Sequence, residues 1–154
     1  MNNKPIKRHP ALQPLSREHH NGLQLSWKIR TGLKKDIEIS RITKYVDWFY
    51  KTHLLPHFEI EEKYIFPILG KDNDLIKKAI SEHREIKRLA GTEAELYKNL
   101  NPLAEILENH IRFEERVLFN EIQSVATSEQ LQQIEFHHSG IGFTDNLTDA
   151  FWEH

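Results

Sequence analysis

Two short segments of this chain carry the same pair of metal-capable side chains at the same spacing. One reads His57-Phe-Glu-Ile-Glu61, the other His110-Ile-Arg-Phe-Glu114. Residues four apart on an α-helix project from one face, with Cβ atoms about 5–6 Å apart, so each pair can address a single cation cluster. Apolar residues at −3, +3 and +7 flank each histidine: Leu54, Ile60 and Tyr64 in the first segment, Leu107, Phe113 and Val117 in the second. That places the polar pairs inside an expected core stripe. The match extends further, with Glu-Glu at +4 and +5 and Phe at +9 in both, which marks an internal repeat. Each repeated segment has a companion bearing a Glu-His pair, Glu18-His19 and Glu82-His83.

Burying carboxylates without compensation is strongly unfavourable. Two glutamates and four histidines converging on one core would therefore destabilise the fold unless cations joined them. Two divalent or trivalent cations turn the same groups into a stabilising cluster. Imidazole nitrogen and bridging carboxylate oxygen without sulfur suit iron or manganese, and zinc is compatible. Two carboxylates can bridge two metals while histidines terminate them, which leaves a position open to a small molecule. In the first helix either His19 or His20 can supply the nitrogen, and Leu23 and Trp27 at +3 and +7 speak for His20.

Other polar residues near these motifs have less definite roles. His53, one turn before His57, is open between an added donor and an edge histidine. Glu62 and Glu115 point away from the pairs, as surface charges or as acceptors behind the histidines, so Glu62→Ala is expected to matter little. Tyr45, Tyr50 and Tyr64 are assigned to packing, and His137 and His138 to the tail. Glu135-x-x-His138 is the chain's one Glu-x-x-His, whereas a ferritin-like centre needs two inside the bundle.

The elements that must position these groups are long helices. Gly and Pro, six of each, fall between periodic segments. The first helix is expected from a Ser16 cap to about Leu33, with Leu15, Leu23, Trp27 and Arg30 near one stripe and Gly32 at the exit. The second opens near Ser40 and ends by Gly70, disturbed at Pro56 and Pro67. The third follows Asp72, Asn73 and Asp74 and runs to about Asn99. The fourth takes Asn101 as cap and Pro102 at its first position, ending near Glu121. Thr127 and Gln130 suggest a capping box for a short fifth helix, followed by an irregular tail containing Gly-Ile-Gly at 140–142. The expected fold is all-α: an antiparallel up-and-down four-helix bundle over 14–122, an N-terminal extension over 1–13, and a C-terminal helix and tail over 123–154 that pack on it.

Composition excludes several alternatives. With 154 residues there is enough chain for one cored domain. Basic and acidic residues number 21 and 23, a formal charge of −2 that gives no reason to expect nucleic acid or an anionic membrane as partner. No apolar run approaches the roughly 18 residues of a membrane span, and the polar start lacks a secretory leader's apolar centre. The absence of cysteine excludes thiolate sites and disulfides. A cytoplasmic location is the default expectation.

At these residues the chain resembles the hemerythrin-like, HHE cation-binding family, over about Leu15 to Ile122. The blocks LLPHFEIEEKYIFPIL, SEHREIKRLA and LENHIRFEERVLF look like that family's second-, third- and fourth-helix motifs. The resemblance implies His57, Glu61, His83, His110 and Glu114 as ligands, with the glutamates bridging two irons. It also selects His19, directly after an acidic residue and four before Leu23. Oxygen carriers of the family differ, with a second histidine where Lys87 stands and an aspartate in place of the Glu114 arrangement. The four-His, two-Glu set is closer to iron-sulfur repair proteins and F-box iron sensors, whose additional domains are not expected here.

The function implied is binding or sensing of oxygen, nitric oxide or peroxide at a di-iron site, by a monomer or homodimer. An iron-responsive interaction or iron-handling module is the alternative. Catalysis is not assigned; were there any, it would be di-iron oxidoreductase chemistry on oxygen, peroxide or nitric oxide.

Overall fold

In the computed structural model the residues described are 7–138 and 142–153, so Gly140 and Ile141 of the Gly-Ile-Gly and the first six residues of the extension lie outside them. Helix α1 spans Gln13–Lys34 and starts earlier than expected. Pro14 occupies its first turn, where a missing N–H is harmless, and Ser16 turns its hydroxyl to Glu115 instead of capping. Gly32 lies inside α1, where a Cβ would stand 2.7 Å from Phe151 and 2.8 Å from Ile42. The exit is made by Asp36, at a left-handed φ of 56°.

The second rod covers 39–68 as consecutive segments. They are α2 (Ile39–Phe49), a π-helical turn (Tyr50–Leu54), α3 (Leu55–Ile60), a second π turn (Glu61–Ile65) and a 3-10 turn (Phe66–Ile68). The first π turn ends two residues before Pro56, whose missing N–H and bulky ring break the regular ladder. Helix α4 (Asp74–Ala90) is capped by the Asn73 side chain, which accepts from the Leu75 and Ile76 amides at 2.8 and 3.3 Å.

The boundary between the third and fourth helices differs from expectation. Helix α4 ends at Ala90, and α5 (Glu93–Phe113) already begins after Thr92, with Pro102 in its interior. The reason is packing: Leu96, Leu100, Leu103 and Leu107 form one buried stripe that begins before the proline, and tertiary burial outweighs a lost backbone bond. A third π turn (Glu114–Leu118) and α6 (Phe119–Val125) complete this rod. Helix α7 (Ser128–His137) opens with the Thr127/Gln130 capping box.

The four rods form an all-α bundle, with no strand among the described residues. No helix among them is long and apolar enough to cross a membrane. The buried stripe of α1 is Leu15, His19, Gly22, Ser26 and Ile29, while Trp27 is exposed. Each π turn inserts one residue, so Ile65 and Leu118 are fully buried in place of the expected Tyr64 and Val117.

The apolar core falls into two clusters. One gathers Leu25, Ile29, Phe49, Phe58, Ile86 and Ile111 among others; the second holds Leu15, Ile65, Phe66, Ala79, Leu118 and Phe119. Every rod crosses from one to the other through a polar residue. Segment 142–153 is irregular yet held to the bundle. Phe151 and Trp152 are buried beside Tyr45, and Arg41 pairs with Asp149 at 2.7 Å. Buried Lys28 donates to the Tyr45 hydroxyl at 2.9 Å and to Asp145 at 2.6 Å.

Candidate metal centre

Between the two apolar clusters lie His19 from α1, His57 from α3, His83 from α4 and His110 from α5. Glu61 and Glu114 each begin a π turn. A π turn widens the helix by one residue, which places the glutamate and the residue after it on either side of the usual stripe. All six side chains are at most 5% exposed. His20 faces solvent and contacts Gln24.

The six residues converge as two interlocking groups: His19, His57, Glu61 and Glu114, and His83, His110, Glu61 and Glu114. Within each group the candidate ligand atoms lie within 4.8 Å of one another. His19 Nε2 is 2.9 Å from Glu114 Oε1 and 3.4 Å from Glu61 Oε2. His57 and His83 approach the two oxygens of Glu61 at 3.2 and 3.1 Å, and His110 approaches Glu114 at 3.4 Å. Yet Nε2 of His57, His83 and His110, both oxygens of Glu61 and Oε2 of Glu114 are buried without a hydrogen-bond partner. Native interiors rarely leave such atoms unmatched. A donor set of imidazole nitrogens and shared carboxylate oxygens, orphaned together, fits cations.

Behind each histidine stands a carboxylate. Nδ1 of His19, His57, His83 and His110 donates to Glu115, Glu18, Glu62 and Glu82 at 2.8, 2.7, 2.8 and 2.8 Å respectively. An ionised carboxylate only accepts, so Nδ1 carries the proton and Nε2 is the nitrogen turned to the centre. Glu62 and Glu115 are thus acceptors behind histidines and not free surface charges. Basic groups in turn flank the four carboxylates: Arg8 at 3.8 Å from Glu115, Lys87 at 3.5 Å from Glu62, Lys78 at 2.7 Å from Glu82, and His138 at 2.9 Å from Glu18. His138, read from sequence as a tail residue, reaches the site's periphery through the fold of α7.

The arrangement follows the sequence repeat. Glu18 and Glu82 each serve the histidine of their own half, whereas Glu62 and Glu115 cross to the other. Phe66 packs on His83 and Phe119 on His19, with ring centres 5.3 and 5.0 Å apart.

The electrostatics reflect this charge pairing. Burial opposes protonation of His57, but the nearby Glu61 charge and the hydrogen bond to Glu18 outweigh it and lift its pKa to about 9. His110 is likewise lifted to about 9, against burial, by Glu114 and Glu82. His19 is raised well above its ordinary value despite burial, by Glu114, Glu115 and Glu61. Burial would raise Glu61 and Glu18, yet histidines around them hold Glu61 far below the usual carboxylate range and Glu18 at about 2.

The halves differ where the cavity lies. A cavity of about 550 Å³ reaches His19, His57 and His110 but not His83. On the His83 side Phe58 stacks on the imidazole at 3.9 Å, and Ile86 is fully buried. The equivalents on the cavity side are Ile111 and Gly22, so less side-chain volume covers His19. His53 lies outside both groups and lines the cavity. Tyr45 is engaged with Asp145, and Tyr64 stacks on His137.

Fold and site together define a helical bundle organised around a cation-binding cluster. Residues 11–122 match the hemerythrin HHE cation binding domain, and the chain belongs to that family. Among curated proteins, a DNA nickase of Nostoc sp. (strain PCC 7120) is 28% identical over 131 residues. That match takes in 79% of this chain but 36% of the nickase, so the chain spans about a third of that relative's length. No solved structure matches significantly.

Proposed function

We propose that His19, His57, Glu61, His83, His110 and Glu114 hold two iron ions, and that the centre binds or senses a small ligand such as oxygen, nitric oxide or peroxide. The observation that carries this reading is the set of buried, unmatched nitrogens and oxygens forming two groups with both glutamates in common. The four histidines and two glutamates would hold the ions, with Glu61 and Glu114 common to both groups. Iron here would supply redox exchange and an open coordination position. The chain's own part is to fix each imidazole tautomer through Glu18, Glu62, Glu82 and Glu115, and to exclude bulk water with the two apolar clusters. The cavity gives the ligand its approach on the His19–His57 side.

Elemental analysis with an optical spectrum tests this directly. Near two irons per chain and charge-transfer absorption that responds to oxygen, peroxide or nitric oxide are expected, and His57→Ala or His110→Ala should abolish binding. Protein that stays colourless and metal-free after reconstitution with ferrous iron would end the proposal. A second reading, iron-dependent stability read by a partner, is favoured by the closeness of the site to both core clusters. It predicts a large rise in Tm on loading without any small-ligand response. Strand nicking is not carried over from the Nostoc relative: the net charge of −2 offers no general attraction to a polyanion.

A further inference from the structure

A diatomic ligand or peroxide is about the size of a water molecule, whose share of liquid volume is roughly 30 Å³. The cavity beside His19 and His57 is about 550 Å³, within the range of sites that enclose organic molecules. Its walls differ in character. Phe49, Leu54, Phe58, Leu107, Ile111 and Phe143 supply apolar surface, the first five from the core. The first turns of α1 supply polar surface through Gln13, Arg17, His20 and Asn21, at i, i+4, i+7 and i+8 on one helical face. Gln13 donates to the Arg8 carbonyl, and His20 contacts Gln24. Arg17 is exposed and Asn21 half-buried, and among the described residues neither side chain has a hydrogen-bond or ion-pair partner. Glu18, the acidic residue of the lining, accepts from His57 at 2.7 Å and pairs with His138 at 2.9 Å, so its charge is already met. Arg17 is left as the unmatched charge at the rim of a cavity with an apolar wall, which suits an amphiphilic anion.

We propose that this cavity binds an organic monocarboxylate with an apolar body, of medium-chain fatty-acid size, its body against the apolar wall and its carboxylate between Arg17 and Asn21. Residues four apart on a helix are neighbours, so the guanidinium and the amide N–H groups can address one headgroup. The guanidinium fork matches the two oxygens of a carboxylate, and the amide adds a neutral donor. One cation meets one negative charge, whereas a phosphate dianion would keep part of its charge unmatched. Bound this way, the body and not the headgroup faces the His19–His57 side of the centre. The ligand class deepens the di-iron reading, but it rests on the cavity and α1 and not on bound iron.

The test titrates the iron-loaded full chain calorimetrically with octanoate, with 1-octanol, and with the shorter acids hexanoate and butyrate, and follows the metal optically with azide. Octanoate should bind about tenfold more tightly than octanol, the effect of a charge-assisted hydrogen bond to an exposed arginine. Arg17→Gln should erase that preference while the azide band persists, and Asn21→Ala should weaken octanoate binding about threefold. Each added methylene should tighten binding about fourfold, as burial of the body requires. The alcohol comparison and the chain-length series need no variant. Equal affinities for octanoate and octanol, no dependence on chain length, or a preference surviving Arg17→Gln, as when the carboxylate turns to the metal, each overturn the assignment. An azide band without octanoate binding would defeat this inference and leave the di-iron reading standing. Arginine-dependent octanoate binding in a chain that takes up no iron would do the reverse.

Discussion

Glu62 offers the sharpest test of how the centre is built, because sequence pattern and structure predict different outcomes for Glu62→Ala. By pattern Glu62 lies off the metal-facing stripe and its removal should be silent. In the fold its carboxylate accepts from His83 Nδ1 at 2.8 Å, and His83 is 1% exposed. Removing the acceptor strands a buried N–H, a penalty of about 1–3 kcal/mol, and frees the imidazole to present the wrong tautomer. Loss of such a carboxylate behind a ligating histidine typically weakens metal binding by about 10–100-fold. The Glu62 side chain is 36% exposed, so water can partly replace it, which places the effect near tenfold. Glu82, 17% exposed behind His110, should fall nearer 100-fold. Competition of Co(II)-loaded protein against a calibrated chelator, read in the visible d–d bands, measures both. Exposed Glu59→Ala is the control. If Glu62→Ala and Glu82→Ala both match that control within twofold, the carboxylate–histidine scheme is wrong.

Other consequences are equally open to measurement. His57 and His110 have pKa values of about 9 in the metal-free fold, above the ordinary 6.5, so their stabilisation is complete below about 6.5 and lost as pH rises through about 9. The Tm of the metal-free chain should therefore fall over that window. In the iron-loaded chain, where cations replace the protons, it should not, and parallel profiles would contradict this. Asp145→Ala leaves the Lys28 ammonium buried without its carboxylate, a loss of about 3 kcal/mol in urea unfolding, at the low end for a broken buried pair because Asp145 is 21% exposed. An unchanged denaturation midpoint would show that the tail is not tied down there. Gly32→Ala pushes a methyl into Phe151 and Ile42 and should lower stability by about 1–3 kcal/mol by overpacking. Combining it with Phe151→Ala should recover part of the loss if that contact is its cause.

The repeated His-x-x-x-Glu, the two Glu-His pairs and the helical periodicity were legible in the linear chain because helical neighbours four apart share a face wherever the helix lies. Those patterns carried the all-α bundle, its family resemblance and the convergence of the six residues. The capping box at Thr127 was legible for the same local reason. Tertiary packing decided the rest. The choice between His19 and His20 depended on which face of α1 meets the core, and that face is marked by Gly22 and Ser26, which apolar scoring passes over. The π turns at Glu61 and Glu114 shift the buried stripe by one residue, which no fixed 3.6-residue period anticipates. Pro102 sits within α5 because leucine burial on both sides of it outweighs its local preference. Above all, the partners of the imidazoles are 21 to 96 residues away in sequence. A hydrogen bond between different helices leaves no periodic trace in either, so the ring of carboxylates around the centre exists only once the rods are packed.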